Sequence, residues 1–358
     1  MAGRHSAGAA VRRAHPGRRD HRGVERGHAR PDAVRVSGRS SRTSRHAHRY
    51  TEERNMKSEN YPRLAYGLDL AGYSQGEKSA LVRAEWPGEG PVKAEVLTGH
   101  PFADELSGTD ELDTGREQQA IDRLLAAGRL CADVPIDLQG LMGLDSAERA
   151  GHLYPPSIWQ LTSRPVDYAF RALPPLADRI GAPVVRFRNI LTKSQRFQLG
   201  SRLWETYPAA TLQRLGYCGE CRNSNGKLTY NNGRAKRENA RWVPSRPGTR
   251  HQARDKAVAC IAKRIGITAG DKATITDDVL DAVLCALTGV APRGSVLNGS
   301  ALDEEIRRCL GERSESKDKS RATHTGVTGP KGYVLLSRQF WGQIDLVQAE
   351  WKAPDNQE

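Results

Sequence analysis

The chain has 358 residues, 37% hydrophobic and 27% charged, with a formal net charge of +13. That is a globular composition, long enough for one large or two ordinary domains. No run of about 18 apolar residues occurs anywhere, which excludes a membrane-spanning helix.

The charge is unevenly placed. Residues 1–55 hold 14 Arg, no Lys and 5 acidic residues, so they supply +9 and the rest of the chain only +4. This leader is Arg, His, Gly, Ser and Ala with almost no large apolar side chain, and it cannot offset the entropy of folding. It reads as disordered. A basic nucleic-acid arm, a transit peptide and a translated stretch of GC-rich upstream DNA compete as explanations. The absence of Lys and the position of Met56 just before the first strand favour the last. Arg12-Arg13 and Arg18-Arg19 are twin arginines, but no apolar segment follows them.

The folded part, 56–345, reads as a single domain. A first strand is expected from Leu64 to Ala71, followed by strands at Ser79–Glu85 and Val92–Thr98 with Pro87, Gly88 and Gly90 turning between them. These make a three-strand meander. An acidic loop, Asp104–Asp113, leads to an amphipathic helix near Thr114–Gly128, with Ile121, Leu124 and Leu125 at helical spacing.

Leu130–Leu138 is expected as the next strand, with Val134, Ile136 and Leu138 on one face; Pro135 argues against a fully paired central strand there. Proline-rich helical and loop material fills 145–183. Val184–Phe187 is β-like, and Arg202–Tyr207 is a candidate strand. Pro208–Leu215 is a short helix with Pro in its first turn and Gly216 past its end.

A basic loop insertion is expected at about 217–254, with Asn225-Gly226 and Asn232-Gly233 as turn signals. Helices follow at Asp255–Ile265 and Thr276–Gly289, the second capped by Thr276 with Asp277 and Asp278 in its positive first turn. Residues 311–331 read as a polar linker, Gly332–Leu336 as a terminal strand and 346–358 as a tail. No internal repeat is present.

The six cysteines, Cys131, Cys218, Cys221, Cys260, Cys285 and Cys309, are scattered, as reduced thiols of a cytoplasmic protein would be. Cys218 and Cys221 form the sole CxxC. Without a second pair it reads as an incidental turn rather than a zinc site, although Cys260 and His251 are the ligands zinc would need.

Three acidic residues stand where an acid is costly. Asp69 in Gly67-Leu68-Asp69-Leu70-Ala71-Gly72 and Asp137 in Pro135-Ile136-Asp137-Leu138 sit in apolar runs. Asp281 is the only charged side chain between Val279 and Leu287. A lone buried carboxylate is unfavourable unless paired or bound to a cation, so a shared metal site is the economical explanation. Asp278 and Asp281, three apart on a helix, can reach the same point. Asp277 is explained as a first-turn acid. Asp69 also fits a plain turn before glycine, and Glu205 stands open between a fourth ligand and the partner of a nearby arginine.

The motifs GLDLAG, VPIDLQG, LWETYPAATLQRLG and TDDVLDAVLCALTG resemble the family called domain of unknown function 429, whose members are predicted ribonuclease H-like nucleases. The resemblance covers residues 64–336, and its last two motifs are the most specific. The family has Pro-Leu or a similar pair soon after the second acid, whereas Leu138-Gln139-Gly140 follows Asp137 here. The resemblance implies an α/β fold: a ribonuclease H-like mixed sheet, with the meander and further strands, flanked by helices and carrying helical and basic loop insertions. It also implies two-metal phosphodiester hydrolysis, with Asp69, Asp137, Asp278 and Asp281 holding two Mg²⁺ or Mn²⁺ ions and Glu205 as a further catalytic candidate. Arg164 and Asp167 recur in the family pattern, and a structural ion pair is the preferred account of them.

Two basic stretches could meet a nucleic-acid backbone. Arg186 to Arg202 holds five basic residues and no acid, and Arg222 to Lys256 holds ten basic and two acidic. Arg186, Arg188, Lys193, Arg196, Arg234, Lys236 and Arg237 are the candidate phosphate contacts, with Phe187, Phe197, Tyr230 and Trp242 interleaved for stacking. A solvated charged face is the plain alternative.

The function expected is therefore a metal-dependent nuclease. A nucleic-acid-binding module without turnover is the alternative. An actin-like phosphotransferase is suggested only by the first glycine-rich motif, and no second copy of the fold supports it.

Overall fold

The computed structural model describes residues 64–104, 115–138, 164–170, 172, 180–194, 199–217, 237–238, 241–242, 249–315 and 329–354. All belong to one unit, Asn60–Glu358. The leader, the acidic loop, the CxxC and most of the basic insertion lie outside the described residues.

A seven-stranded, mostly parallel sheet forms the centre. Its strands in chain order are β1 (Leu64–Asp69), β2 (Ala80–Glu85), β3 (Val92–Thr98), β4 (Arg129–Ala132), β5 (Leu203–Glu205), β8 (Ile267–Ala269) and β11 (Ile344–Glu350). Two-residue ladders pair β6 (Arg237–Glu238) with β7 (Arg241–Trp242), and β9 (Val296–Leu297) with β10 (Leu335–Leu336). The order across the main sheet is β5-β4-β1-β2-β3-β11-β8. β2 runs antiparallel to both its neighbours, and every other pair is parallel. β1 is buried on both faces along Ala65–Leu68, as a central strand requires.

The helices are α1 (Gly115–Ala127), α2 (Pro165–Phe170), α3 (Gly181–Lys193), α4 (Pro208–Arg214), α5 (Thr249–Arg264), α6 (Asp277–Val290) and α7 (Gly299–Glu315). α1 and α3 cover one face, packing Ile121, Leu124, Leu125, Phe187 and Ile190 onto Leu68, Leu81, Leu130 and Leu203. α6 and α5 cover the other, where Leu280, Val283, Leu287 and Ile261 meet Val82, Ala94, Ile344 and Leu346. α2, α4 and α7 build a smaller core with Tyr333 and Leu335.

α6 is buried nearly all round, from Leu280 to Val290, because it lies between the sheet and α5. Its start is set by Thr276, whose side chain accepts the Val279 amide at 3.1 Å. Its height above the sheet is set by glycine. A Cβ on Gly67 would fall 1.9 Å from the Ala282 carbonyl oxygen, and one on Gly289 would fall 2.5 Å from Ala65 Cβ. Strand and helix backbones therefore touch, with α6 descending as β1 ascends.

The structure departs from the sequence reading at several places. The strand expected over Gly332–Leu336 is the two-residue β10, neither terminal nor part of the main sheet, and the helix expected from Asp255 starts at Thr249. Val184–Phe187 is not a strand but the middle of α3, since Val184, Phe187, Ile190 and Leu191 make one buried helical stripe. The strand expected over Leu130–Leu138 stops at Ala132, ahead of Pro135. The residues taken as a tail begin inside β11, which pairs with both β3 and β8. The linker's first residues belong to α7, which runs to Glu315. Among the described residues no helix is long and apolar enough to cross a membrane.

Candidate metal centre

β1, β4 and β5 are parallel, so their carboxyl ends share one edge of the sheet, the usual place for a site in an open α/β sheet. β1 ends on Asp69. One residue past β4, the Asp133 amide donates to the Leu68 carbonyl at 2.9 Å, which puts Asp133 beside Asp69. On the far side the Thr206 amide donates to the Ala132 carbonyl at 3.0 Å. Asp69, Asp133 and Thr206 thus form a row across three strand ends, two residues beyond the row Gly67, Cys131 and Trp204. In-register neighbours share a face, and Gly67 places this one under α6.

α6 delivers the remaining acids. Ala282 and Ala286 lie over Gly67, so the helix turn before them, carrying Asp278 and Asp281, reaches the Asp69 end of β1. Asp281 is buried, Asp277 nearly so, and Asp69, Asp133 and Asp278 keep partial access to solvent.

The electrostatics are those of crowded like charges. Asp69 is held well above the usual carboxylate range, first by loss of water and then by Asp133, Asp281, Asp278 and Asp277. Among the described residues, the neighbouring charges that act most on it are all carboxylates. The Asp133 carboxyl is pushed up to about 7, again by desolvation first and then by Glu205. The Tyr207 phenol is also raised, by burial and then by Asp133, Asp281 and Asp167, so its hydroxyl stays protonated. The Thr206 hydroxyl is buried and meets no hydrogen-bond partner among the described residues. An orphaned hydroxyl beside a set of carboxylates marks a place where a ligand could be received.

The oxygen-only donor set suits a hard cation such as Mg²⁺ or Mn²⁺. As the side chains stand, no group of three or more His, Cys, Asp or Glu among the described residues is close enough to enclose an ion.

Of the residues expected here from the sequence, Asp69, Asp278 and Asp281 are brought together. Asp137 is not. Its Oδ2 accepts the Lys331 amide at 2.7 Å, and it is not among the charges that act most on Asp69. Asp133 stands in the position anticipated for it. The signal was Pro135: a strand that must stop before proline ends near Asp133, just as β1 ends on Asp69.

Glu205 is committed to Arg164, with Oε1 2.6 Å from Nη2 and Oε2 2.9 Å from Nη1. Asp167 takes the other side of the same guanidinium at 2.8 Å. Arg164 and Asp167 are thus the structural ion pair expected.

The proposed phosphate contacts divide. Arg186 is fully buried, paired with Glu117, and it donates to the Ala71 and Phe102 carbonyls at 2.9 Å each. It ties the chain after β1 to α1 and α3 and cannot also reach a substrate. Arg188 is exposed and donates to the Ile136 carbonyl at 3.2 Å, close behind Asp133 in the chain. The Lys193 and Arg237 side chains, and Arg196, Arg234, Lys236, Cys218 and Cys221, lie outside the described residues. Comparison with protein-family models, curated proteins and solved structures found no match to this chain.

Proposed function

We propose that this chain is a metal-dependent phosphodiester hydrolase acting on nucleic acid, with Asp69, Asp133, Asp278 and Asp281 as the acidic centre. The observation that carries the reading is the environment of Asp69, where the charges from β1, β4 and α6 are all negative. A fold gains nothing from packing carboxylates that repel one another, whereas a divalent cation turns the same arrangement favourable. The finer description of the sheet as ribonuclease H-like is supported by the order β3-β2-β1-β4-β5 with β2 reversed.

Two divalent ions, if bound here, would supply an activated water and charge stabilisation at the leaving oxygen. The protein's own groups would do the rest. Asp69 and Asp133, fixed at strand ends, and Asp281, fixed by its burial, offer anionic oxygens from three directions. Tyr207, kept protonated first by burial and then by its acidic neighbours, can donate to an anionic substrate oxygen. Arg188, at the rim, can meet a phosphate. A polyanion would be repelled by this centre without cations, so binding and turnover should share one metal requirement. A cytoplasmic location is part of the proposal, resting on the cysteine pattern.

A panel of labelled single-stranded, duplex and junction DNA and RNA, incubated with Mg²⁺, Mn²⁺ or EDTA, tests the proposal. Cleavage with either metal and none in EDTA is expected. Metal-dependent retention without cleavage would support the binding-module alternative, and retention indifferent to metal would remove the acidic centre from function.

A further inference from the structure

The Asp133 amide still reaches the Leu68 carbonyl across the sheet edge, but residues 134–138, which turn the chain away from the acidic centre, form no helix or strand. Their backbone groups are taken up by side chains from distant elements. The Ile136 amide donates to Glu205 Oε2 at 2.8 Å, the Ile136 carbonyl accepts from Arg188 at 3.2 Å, and the Asp137 carbonyl accepts from Arg164 Nη1 at 3.0 Å.

Arg164 stands at the middle of this network. Its guanidinium binds Glu205 through two nitrogens and Asp167 through Nε and Nη2, and its own amide donates to Asp167 at 2.8 Å. Arg164, Asp167 and Glu205 are 1%, 3% and 2% exposed. Burying three charges is expensive, and apolar side chains of the same volume commonly stabilise a core as well or better. The trio also carries an excess negative charge next to Asp133. A device built only for stability would avoid that.

We propose that Arg164 and Glu205 are positioning residues, an ion pair that holds the turn after β4 in the conformation that sets the Asp133 carboxylate beside Asp69 and α6. Asp167 fixes the rotamer of Arg164 from the side away from Glu205. The inference rests on reading the acidic centre as a cation site, and its test separates the two. Arg164→Lys keeps the charge but cannot span Asp167, Glu205 and the Asp137 carbonyl at once, because only the planar fork offers donors in those directions.

The experiment uses the full chain, wild type and Arg164→Lys, with melting in EDTA, amide exchange of residues 133–138, and Mn²⁺ titration by calorimetry. The variant is expected to melt cooperatively and to exchange the Ile136 amide tenfold faster or more, with the β1–β2 ladder unchanged. It should bind Mn²⁺ at least tenfold more weakly, and on a cleaved substrate kcat should fall with little change in KM. Wild-type Mn²⁺ affinity in the variant, or unchanged Ile136 protection, would overturn the proposal. If Arg164→Lys does not fold, Glu205→Gln, which keeps the shape and loses the ion pair, is read against the same outcomes. If the wild type binds no Mn²⁺, the hydrolase reading falls. Positioning is then decided by exchange alone: acceleration confined to 133–138 upholds it, and none overturns it.

Discussion

Asp133 and Asp137 share one short turn and face opposite tasks. Asp137 has a structural occupation, holding the Lys331 amide at 2.7 Å. Asp137→Ala should therefore lose about 1 kcal/mol of stability, the ordinary worth of one hydrogen bond, and leave the Mn²⁺ response of the melting temperature intact. Asp133→Asn and Asp281→Asn should do the reverse. Each removes a charge from a repulsive cluster, so metal-free stability should hold or rise while the Mn²⁺ shift shrinks. Thermal melts in EDTA and Mn²⁺ read both. A destabilised Asp281→Asn with a full Mn²⁺ shift would take Asp281 out of the site. The pH dependence follows from the same residues. The Asp133 carboxyl stands at about 7 in the fold against about 4 in an unfolded chain. The native state therefore binds the proton more tightly, and the stability this contributes is complete below about pH 4 and lost as pH rises through 7. Asp69, shifted in the same direction, acts with the same sign. Metal-free melting temperature should fall from pH 5 to 8 and fall less in Asp133→Asn. Mn²⁺ affinity should rise over that window, because the cation competes with the protons.

At the scale of elements, the site depends on how closely α6 lies on β1. Gly67→Ala would drive a methyl to 1.9 Å from the Ala282 carbonyl oxygen and 2.4 Å from the Ala286 amide nitrogen, and neither backbone atom can give way alone. A loss of several kcal/mol is expected, with any surviving fold losing Mn²⁺ binding as the Asp281 turn lifts away. Gly88→Ala is the control. Its φ of +100° strains any side chain, but no atom of the described residues lies within 4 Å of the added methyl, so a cost of about 1 kcal/mol is expected. Urea denaturation of the two variants measures the difference. What could be read from the sequence was what local chemistry determines. The meander, α1, α4 with its Pro208 start, and the Thr276 cap of α6 each declare themselves within a few residues. Asp281 was legible because an acid in an apolar helix has no local excuse, whereas Asp69 before glycine and Asp278 in a helix first turn each have one and stood out only in its company. Asp133 was not legible, since its role depends on where β4 ends, and that was misplaced by the apolar alternation of Val134, Ile136 and Leu138. Val184–Phe187 misled for a related reason: a four-residue apolar run fits either period, and only Ile190 and Leu191 extend it as a helix.

For the whole molecule the least legible feature was β11. Its outward residues are exposed and only Ile344 and Leu346 are deeply buried, so the segment reads as a polar end. Its partner β3 is remote in sequence, and no local pattern announces a pairing of that span. Yet β11 sits between β3 and β8, matched to β3 from Ile344↔Val92 to Glu350↔Thr98. The Thr98 hydroxyl donates to the Ala349 carbonyl at 3.2 Å, and the Trp351 amide donates to the Thr98 carbonyl at 2.8 Å. Ending the chain at Asp345 would strip five of those seven β3 partners and the Leu346↔Ala269 pair to β8. It would also bare Ala94 and Val96 on β3, which belong to the core under α5 and α6. The truncated chain should not unfold cooperatively, because lost ladder bonds and exposed apolar surface act on one cooperative unit. The amino end should behave oppositely. The described residues lie in a unit that begins at Asn60, and residues 1–55 lack the apolar side chains to contribute to a core. A chain beginning at Met56 should keep the full-length melting temperature. Calorimetry of the two truncations side by side tests this assignment. A cooperative melt without 346–358 would mean that β11 is an accessory strand. Loss of the transition without 1–55 would mean that the leader is part of the fold.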